Sequence, residues 1–214
     1  MLGLVALLVP VAVASTAGAE PEECHFLKHP PYQSWPAGFT GPAGASAAGN
    51  VDIRALDVSS DAKTLTVRLQ LRDLRQQDPL TAVGVSYDVA PVISANRLHL
   101  RADVDRTGTY FFVFTEEVSE TTGESSAFNL PTGVVPVAGR IDAQASMITI
   151  TAPWPAFRLS HPPQVRKRVA SWYASTTRMA GTNPTGGVGI AGDHAYTTRS
   201  YRVGDSPCGR IRPA

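Results

Sequence analysis

Three aromatic residues in the later half of the chain are candidates for contact with a ligand. Trp172 and Tyr173 are adjacent, so one of the two rings must face outward if this run is a strand, and Trp154 precedes them. The flat apolar face of an exposed ring can stack on a sugar, although a covering loop could bury the ring instead. The sequence therefore predicts a ligand-binding surface built from these three residues.

Aspartates from separate loops could supply oxygen ligands to a calcium ion. The candidates are Asp52, Asp57 and Asp193, with Asp61 and Asp205 nearby if the two chain ends come together. Carboxylates in this kind of arrangement commonly hold Ca²⁺ outside the cell. The spacing alone does not require an ion, so we expect either no cofactor or Ca²⁺.

A serine, a histidine and an aspartate near the end of the chain could in principle form a hydrolase site. Ser206 would be the nucleophile, His194 the base and Asp193 the carboxylate that orients the base. Nucleophilic catalysis needs these groups to converge beside an oxyanion hole, and Ser206 lacks the strand-to-helix turn that exposes such a nucleophile. We therefore expect no catalytic role, with a small secreted hydrolase as the alternative.

Two further patterns resemble ligand-binding loops, but the first predicts a flexible loop and the second an ordinary turn. Gly187, Gly189 and Gly192 have the spacing of a dinucleotide-binding loop, without the preceding strand and following helix that the motif requires. Asp103 and Asp105 match the start of a calcium loop, but its twelfth position would be a phenylalanine instead of glutamate. The second pattern indicates a hairpin turn.

Composition excludes several classes of protein. The 214 residues are 43% hydrophobic and 17% charged, with a formal net charge of +1, as in ordinary globular domains. A near-neutral chain has no global field that attracts nucleic acid. We therefore expect no nucleic-acid partner.

The N-terminal segment predicts export. Residues Leu2 to Ala14 are almost wholly apolar, and the small residues Ala17, Gly18 and Ala19 follow, as at the cleavage site of a signal peptide. We expect cleavage after Ala19, with Ala14 as second choice and an uncleaved anchor as the alternative. The product should be secreted and extracellular, with no stable membrane insertion.

Cys24 and Cys208 are the two cysteines of the chain and lie near its ends. An even count in an exported protein favours a disulfide, and two cysteines allow one intramolecular pairing. We therefore predict a Cys24–Cys208 bond.

Short alternating runs predict an all-β fold. In Lys63 to Arg72, leucine and valine alternate with polar residues, which indicates a strand with one wet face. Weaker runs of this kind occur at 52–58, 81–89, 97–104, 109–115, 134–141, 147–151, 168–175 and 195–203. The run 110–114 is apolar on both parities and predicts a central strand of the core.

These runs predict a two-layer antiparallel β-sandwich, jelly-roll-like, with about eight to ten strands; a closed barrel is the alternative. We expect one domain at 51–208, preceded by a signal peptide at 1–19 and a Pro/Gly/Ala-rich leader at 20–50. Residues 209–214 would form a C-terminal tail.

The order of these elements resembles a known group of proteins. Asp52, Leu56, Asp57 and the strand Leu65 to Leu71 are followed late in the chain by Gly139, Ile148, Thr149, Ile150, Pro153, Tyr201 and Cys208. Together they resemble accessory β-sandwich modules of unassigned activity that actinobacteria export, and more distantly carbohydrate-binding and DOMON-like sandwiches. The resemblance implies a non-catalytic accessory module.

We therefore expect a secreted binding protein whose partner is an extracellular polysaccharide or a cell-surface component. A structural envelope protein without a small ligand is the remaining alternative.

Overall fold

The computed structural model describes residues 26–28, 49–76, 84–93, 96–117, 133–160, 163, 166–180, 188–197, 199–207, 211–212 and 214. This part of the chain contains twelve strands: β1 Leu27–Lys28, β2 Ile53–Ser60, β3 Thr64–Leu71, β4 Gly84–Ile93, β5 Asn96–Asp105, β6 Gly108–Glu117, β7 Val135–Pro136, β8 Ala138–Asp142, β9 Met147–Pro153, β10 Arg168–Ala180, β11 Val188–Thr197 and β12 Tyr201–Arg202. A 3-10 helix at Trp154–Phe157 follows β9.

The strands form two antiparallel sheets. Sheet A has the order β1-β2-β3-β9-β8, and sheet B has the order β11-β10-β4-β5-β6-β7, with β12 paired to β10. The predicted all-β sandwich with two antiparallel layers is therefore confirmed.

Alternation explains how each sheet turns its apolar side inward. On β3, Leu65, Val67, Leu69 and Leu71 are buried in the core between the sheets. Their neighbours across sheet A continue the same layer, since Leu69 pairs with Leu56 on one side and with Ile148 on the other. Successive side chains of a strand point to opposite faces, so the intervening Thr66, Arg68 and Gln70 face outward.

Two details of the strand prediction are wrong. The run 110–114 is not the centre of the core: of its residues only Val113 is buried, and β6 pairs on its outer side with the two-residue strand β7. Phe112 and Phe114 instead lie on the outward side of sheet B. The glycine pattern from Gly187 to Gly192 was predicted to form a loop, but β11 begins at Val188 and includes Gly189 and Gly192.

Sheet A includes a strand, β1, from the segment 20–50 that was predicted as a leader. Leu27 and Lys28 pair with Leu56 and Ala55 of β2, and Phe26 is buried against Trp172 and Tyr201. This aromatic cluster joins residues from both ends of the described chain.

Several predictions fall outside the described residues. The signal peptide, its cleavage site, Cys24 and Cys208 all lie there, so export and the disulfide stay predictions. In the described ranges, no helix is long and apolar enough to cross a membrane.

Candidate functional site

The outward face of sheet A is in contact with the C-terminal part of the chain. The Asp205 carbonyl accepts a hydrogen bond from Ser60 N–H, and Ala214 N–H donates to Thr151 Oγ1 at 3.2 Å. Thr66 and Thr149 on the same face are buried. The central strands of this face are therefore largely removed from solvent, whereas Ala138, Arg140 and Asp142 of the edge strand β8 stay exposed.

The outward face of sheet B carries a group of aromatic residues. Tyr110, Phe112 and Phe114 project from β6, Tyr173 from β10 and Tyr196 from β11. Tyr196 and Tyr110 are 58% and 48% exposed, and the other three rings are partly buried. Solvent-facing sides of antiparallel sheets are usually polar, so this density of rings is unusual for a surface without a partner. We call this surface the aromatic face.

The strand register places polar groups in a row across the aromatic face. His194 lies opposite Ser175, Ser175 opposite Asp88, Asp88 opposite Arg101, and Arg101 opposite Phe112. With strands about 4.8 Å apart, this row from β11 to β6 spans about 19 Å. The face is therefore long enough to contact an extended ligand.

A histidine between two carboxylates occupies the middle of the aromatic face. His99 Nδ1 is 2.7 Å from Asp88 Oδ2, and His99 Nε2 is 3.3 Å from Glu116 Oε2. The imidazole also stacks on the ring of Phe114, with centroids 4.2 Å apart and planes at 7°. Only the doubly protonated imidazole can donate to both carboxylates.

The pKa of His99 follows from this arrangement. Burial disfavours the charged form, but attraction and hydrogen bonds from Asp88 and Glu116 outweigh it, so the pKa of His99 lies above its usual value of 6.5. The cluster therefore favours an imidazolium flanked by two carboxylates.

Two arginines of β5 extend this charged network. Arg97 Nη1 lies 3.4 Å from Glu116 Oε2, and Arg101 Nε lies 2.7 Å from Asp103 Oδ1. The Arg101 guanidinium is also 5.7 Å from the centroid of the Phe112 ring. Charges on the face are paired locally, so it offers hydrogen-bonding groups without a strong field of one sign.

The three predicted aromatic ligand-binding residues do not form one surface. Trp154 and Trp172 are 1% and 0% exposed, so neither can stack on a ligand, and this part of the prediction is wrong. Trp154 anchors the 3-10 helix by donating its Nε1–H to the Asp61 carbonyl. Trp172 packs in the core against Phe26, whereas Tyr173 lies on the aromatic face.

The predicted calcium ligands are engaged with groups of the protein. Asp52 is paired with Arg54 at 3.0 Å, and Asp57 with Arg68 at 2.6 Å. Asp193 is buried between the sheets and accepts a hydrogen bond from Ile53 N–H at 2.9 Å. Across the described ranges, no group of three or more histidine, cysteine, aspartate or glutamate residues could hold a metal ion. The structure therefore does not bring these aspartates together as a calcium site.

The predicted catalytic groups also point in different directions. Asp193 faces the core and His194, its neighbour on β11, faces outward, so the carboxylate cannot orient the imidazole. Ser206 lies beside Ser59 of sheet A, with the two Oγ atoms 3.4 Å apart. The alternation of β11 explains why two adjacent residues cannot act as the predicted pair.

No family model matches the chain, and the search of curated proteins found no match.

Proposed function

We propose that this protein is an exported, non-catalytic binding module that binds polysaccharide on its aromatic face. The observation that carries this proposal is the group of five aromatic rings on one outward sheet face. Tyr110 and Tyr196, the two well-exposed rings, project from β6 and β11, which are separated by three strands. The other three rings and the charged groups lie between them or beside them.

A sugar chain suits both the apolar and the polar groups of this face. One side of a pyranose ring is apolar and stacks on an aromatic ring, while its hydroxyls accept and donate hydrogen bonds at the rim. Arg101 and Asp103 are paired with each other at the surface and offer donor and acceptor side by side. Local pairing of charges also favours a neutral ligand over a polyanion.

Export is part of the proposal because an extracellular polysaccharide must be reached outside the cell. The apolar segment Leu2 to Ala14 and the small residues before Glu20 support it. Asp205 and Ala214 contact part of the outward side of sheet A, whereas the aromatic rings lie on sheet B, so we assign the partner to sheet B.

A glycan array on the chain beginning at Glu20 tests this function. Tyr196→Ala should reduce binding of a positive polysaccharide about fivefold or more, since stacking of one ring contributes about 1 kcal/mol or more. Tyr196→Phe keeps the ring and should retain binding. Circular dichroism spectra should stay unchanged because this side chain is exposed.

Arg140→Ala is the matched surface control, since Arg140 is exposed on the outward side of sheet A. It should leave binding intact. Absence of binding to every glycan, or equal loss in Arg140→Ala and Tyr196→Ala, would contradict the proposal. The first result would favour a structural protein without a small ligand.

A further inference from the structure

A cavity with an arginine in its lining lies away from the aromatic face. A cavity of about 350 Å³ is found between the 3-10 helix and the adjoining parts of β5 and β6. Arg158 reaches this cavity. The other lining side chains combine hydrogen-bonding groups with apolar ones: Asn96, Thr115, Ser160, Ala156 and Leu159.

The backbone at Arg158 is fixed in an unusual conformation. Arg158 ends the 3-10 helix with φ 53° and ψ 29°, in the left-handed region that residues with a Cβ seldom adopt. Its N–H donates to the Pro155 carbonyl at 3.1 Å, and Thr115 donates its hydroxyl to the Phe157 carbonyl at 2.6 Å. Phe157 is itself buried in the core. The backbone that carries the arginine is therefore held by a well-anchored turn, and its side chain is exposed.

The guanidinium of Arg158 lies close to Gly133, in space that a side chain at position 133 would occupy. A Cβ at Gly133 would be 2.7 Å from Arg158 Nη1 and 3.3 Å from Cζ, so a larger residue would displace the arginine. Gly133 also has φ +109°, which favours glycine. Arg158 therefore has a left-handed backbone, and its side chain lies against a glycine, Gly133, that a larger residue could not replace without moving the guanidinium.

Arg158 also differs from the arginines of the aromatic face in having no acidic partner. Arg97 and Arg101 pair with carboxylates, whereas no aspartate or glutamate among the described residues is in salt-bridge contact with Arg158. A guanidinium without a carboxylate partner, in a lining that also contains Asn96, Thr115 and Ser160, is suited to receive an anion.

We propose that this cavity binds the carboxylate group of an organic acid, and that Arg158 makes the principal contact with this carboxylate. The planar guanidinium donates two parallel hydrogen bonds to a carboxylate, and the described lining residues include one cation, which suits a single negative charge. Ala156 and Leu159 supply apolar contacts for the carbon skeleton. The site does not depend on polysaccharide binding at the aromatic face.

NMR titration of the chain beginning at Glu20 with D-glucuronate, and with D-glucose as the neutral counterpart, tests this site. Glucuronate should shift the amide signals of residues 156–160, and glucose should not. Arg158→Asn removes the guanidinium but tolerates the left-handed backbone, and should weaken glucuronate binding at least about tenfold. A galacturonate hexamer distinguishes two sources of the bound carboxylate. Binding of the hexamer that is tighter than binding of glucuronate indicates an acidic polysaccharide, and weaker binding indicates a free small acid.

Arg166→Asn is the matched control, because Arg166 is an exposed arginine with φ 73° outside the cavity lining. This variant and Tyr196→Ala should both bind glucuronate as the parent protein does. Equal shifts with glucose, binding retained in Arg158→Asn, or sulfate binding as tightly as glucuronate would each overturn the proposal. None of these outcomes depends on whether the aromatic face binds polysaccharide.

Discussion

The protonation of His99 is linked to folding because its two carboxylate partners come from different strands. Asp88 lies on β4 and Glu116 on β6, so the unfolded chain does not hold them around the imidazole. Arg97, Arg101 and Asp103 on β5, the strand of His99, are further ionisable groups described on this face, as are Tyr173 on β10 and His194 on β11. The raised pKa therefore reports the assembled sheet.

Replacement of His99 by glutamine tests this linkage. A group whose pKa is higher in the folded state stabilises the fold below its unfolded pKa, and this contribution is lost as pH rises through the folded pKa. The parent protein should therefore have a higher free energy of unfolding than His99→Gln at pH 6. This difference between parent and variant should be smaller at pH 9. Urea denaturation at the two pH values measures this difference. A stability difference between parent and His99→Gln that is the same at both pH values, or larger at pH 9, would contradict the raised pKa of His99.

Packing between the sheets depends on a glycine of β8. A Cβ at Gly139 would overlap the ring of Phe111, which packs against the core from β6. Gly139→Ala should therefore lower the free energy of unfolding by about 1–3 kcal/mol, as overpacking does. Chemical denaturation measures the loss. Adding Phe111→Leu should restore part of it, and the adjacent exposed change Ala138→Ser should have little effect; failure of this rescue would contradict the proposed contact.

At the scale of elements, buried hydrogen bonds fasten β2 to the edge of sheet B. Thr176 donates its hydroxyl to the Val51 carbonyl and accepts from Asp193 N–H, each at 2.8 Å. The Asp193 carboxylate accepts from Ile53 N–H, 140 residues earlier in the sequence. The register of β10 and β11 shifts at this point, where Gly192 is the extra residue. These bonds connect the two sheets where the apolar core ends.

Loss of the Asp193 carboxylate should therefore destabilise the sandwich. Asp193→Ala leaves the buried Ile53 N–H without its acceptor, and we expect a loss of about 2–4 kcal/mol. Urea denaturation measures it. Asp142→Ala is the control, because the Asp142 side chain accepts from Ala145 N–H in an exposed turn. A Ca²⁺-dependent gain in stability that is present in the parent and absent in Asp193→Ala would instead assign this side chain to an ion.

Elements could be predicted from the sequence better than the site could. Alternation in β3 depends on local side-chain pattern, and the observed strand Thr64–Leu71 lies within the predicted run. Whether Trp172 or Tyr173 faces inward depends on an irregularity at Ser171, which has φ 55° and no signal in the sequence. The pairing of His99 with Glu116 depends on the register of β5 and β6. Alternate charged residues in β5 indicated a polar face, but not which strands would complete it.

At the scale of the whole molecule, the two outward faces differ in what contacts them. Sheet A is in contact with the chain's own C-terminal residues, whereas sheet B carries the aromatic face. Phe26 packs at right angles against Tyr201, with ring centroids 5.9 Å apart, so residues from both ends of the described chain meet at one place. This contact is compatible with the predicted pairing of Cys24 and Cys208, which lies outside the described residues.

The disulfide prediction is tested by removing both cysteines in Cys24→Ser/Cys208→Ser. A bond closing a loop of about 185 residues restricts the unfolded chain, so the double variant should lose up to about 5 kcal/mol of unfolding free energy. The folded structure should persist, because β1 and the Phe26–Tyr201 contact hold the N-terminal segment independently. Urea denaturation with and without reductant measures the loss, and reductant should affect the parent but not the variant. Two free thiols titrated in the unreduced parent protein would exclude the bond.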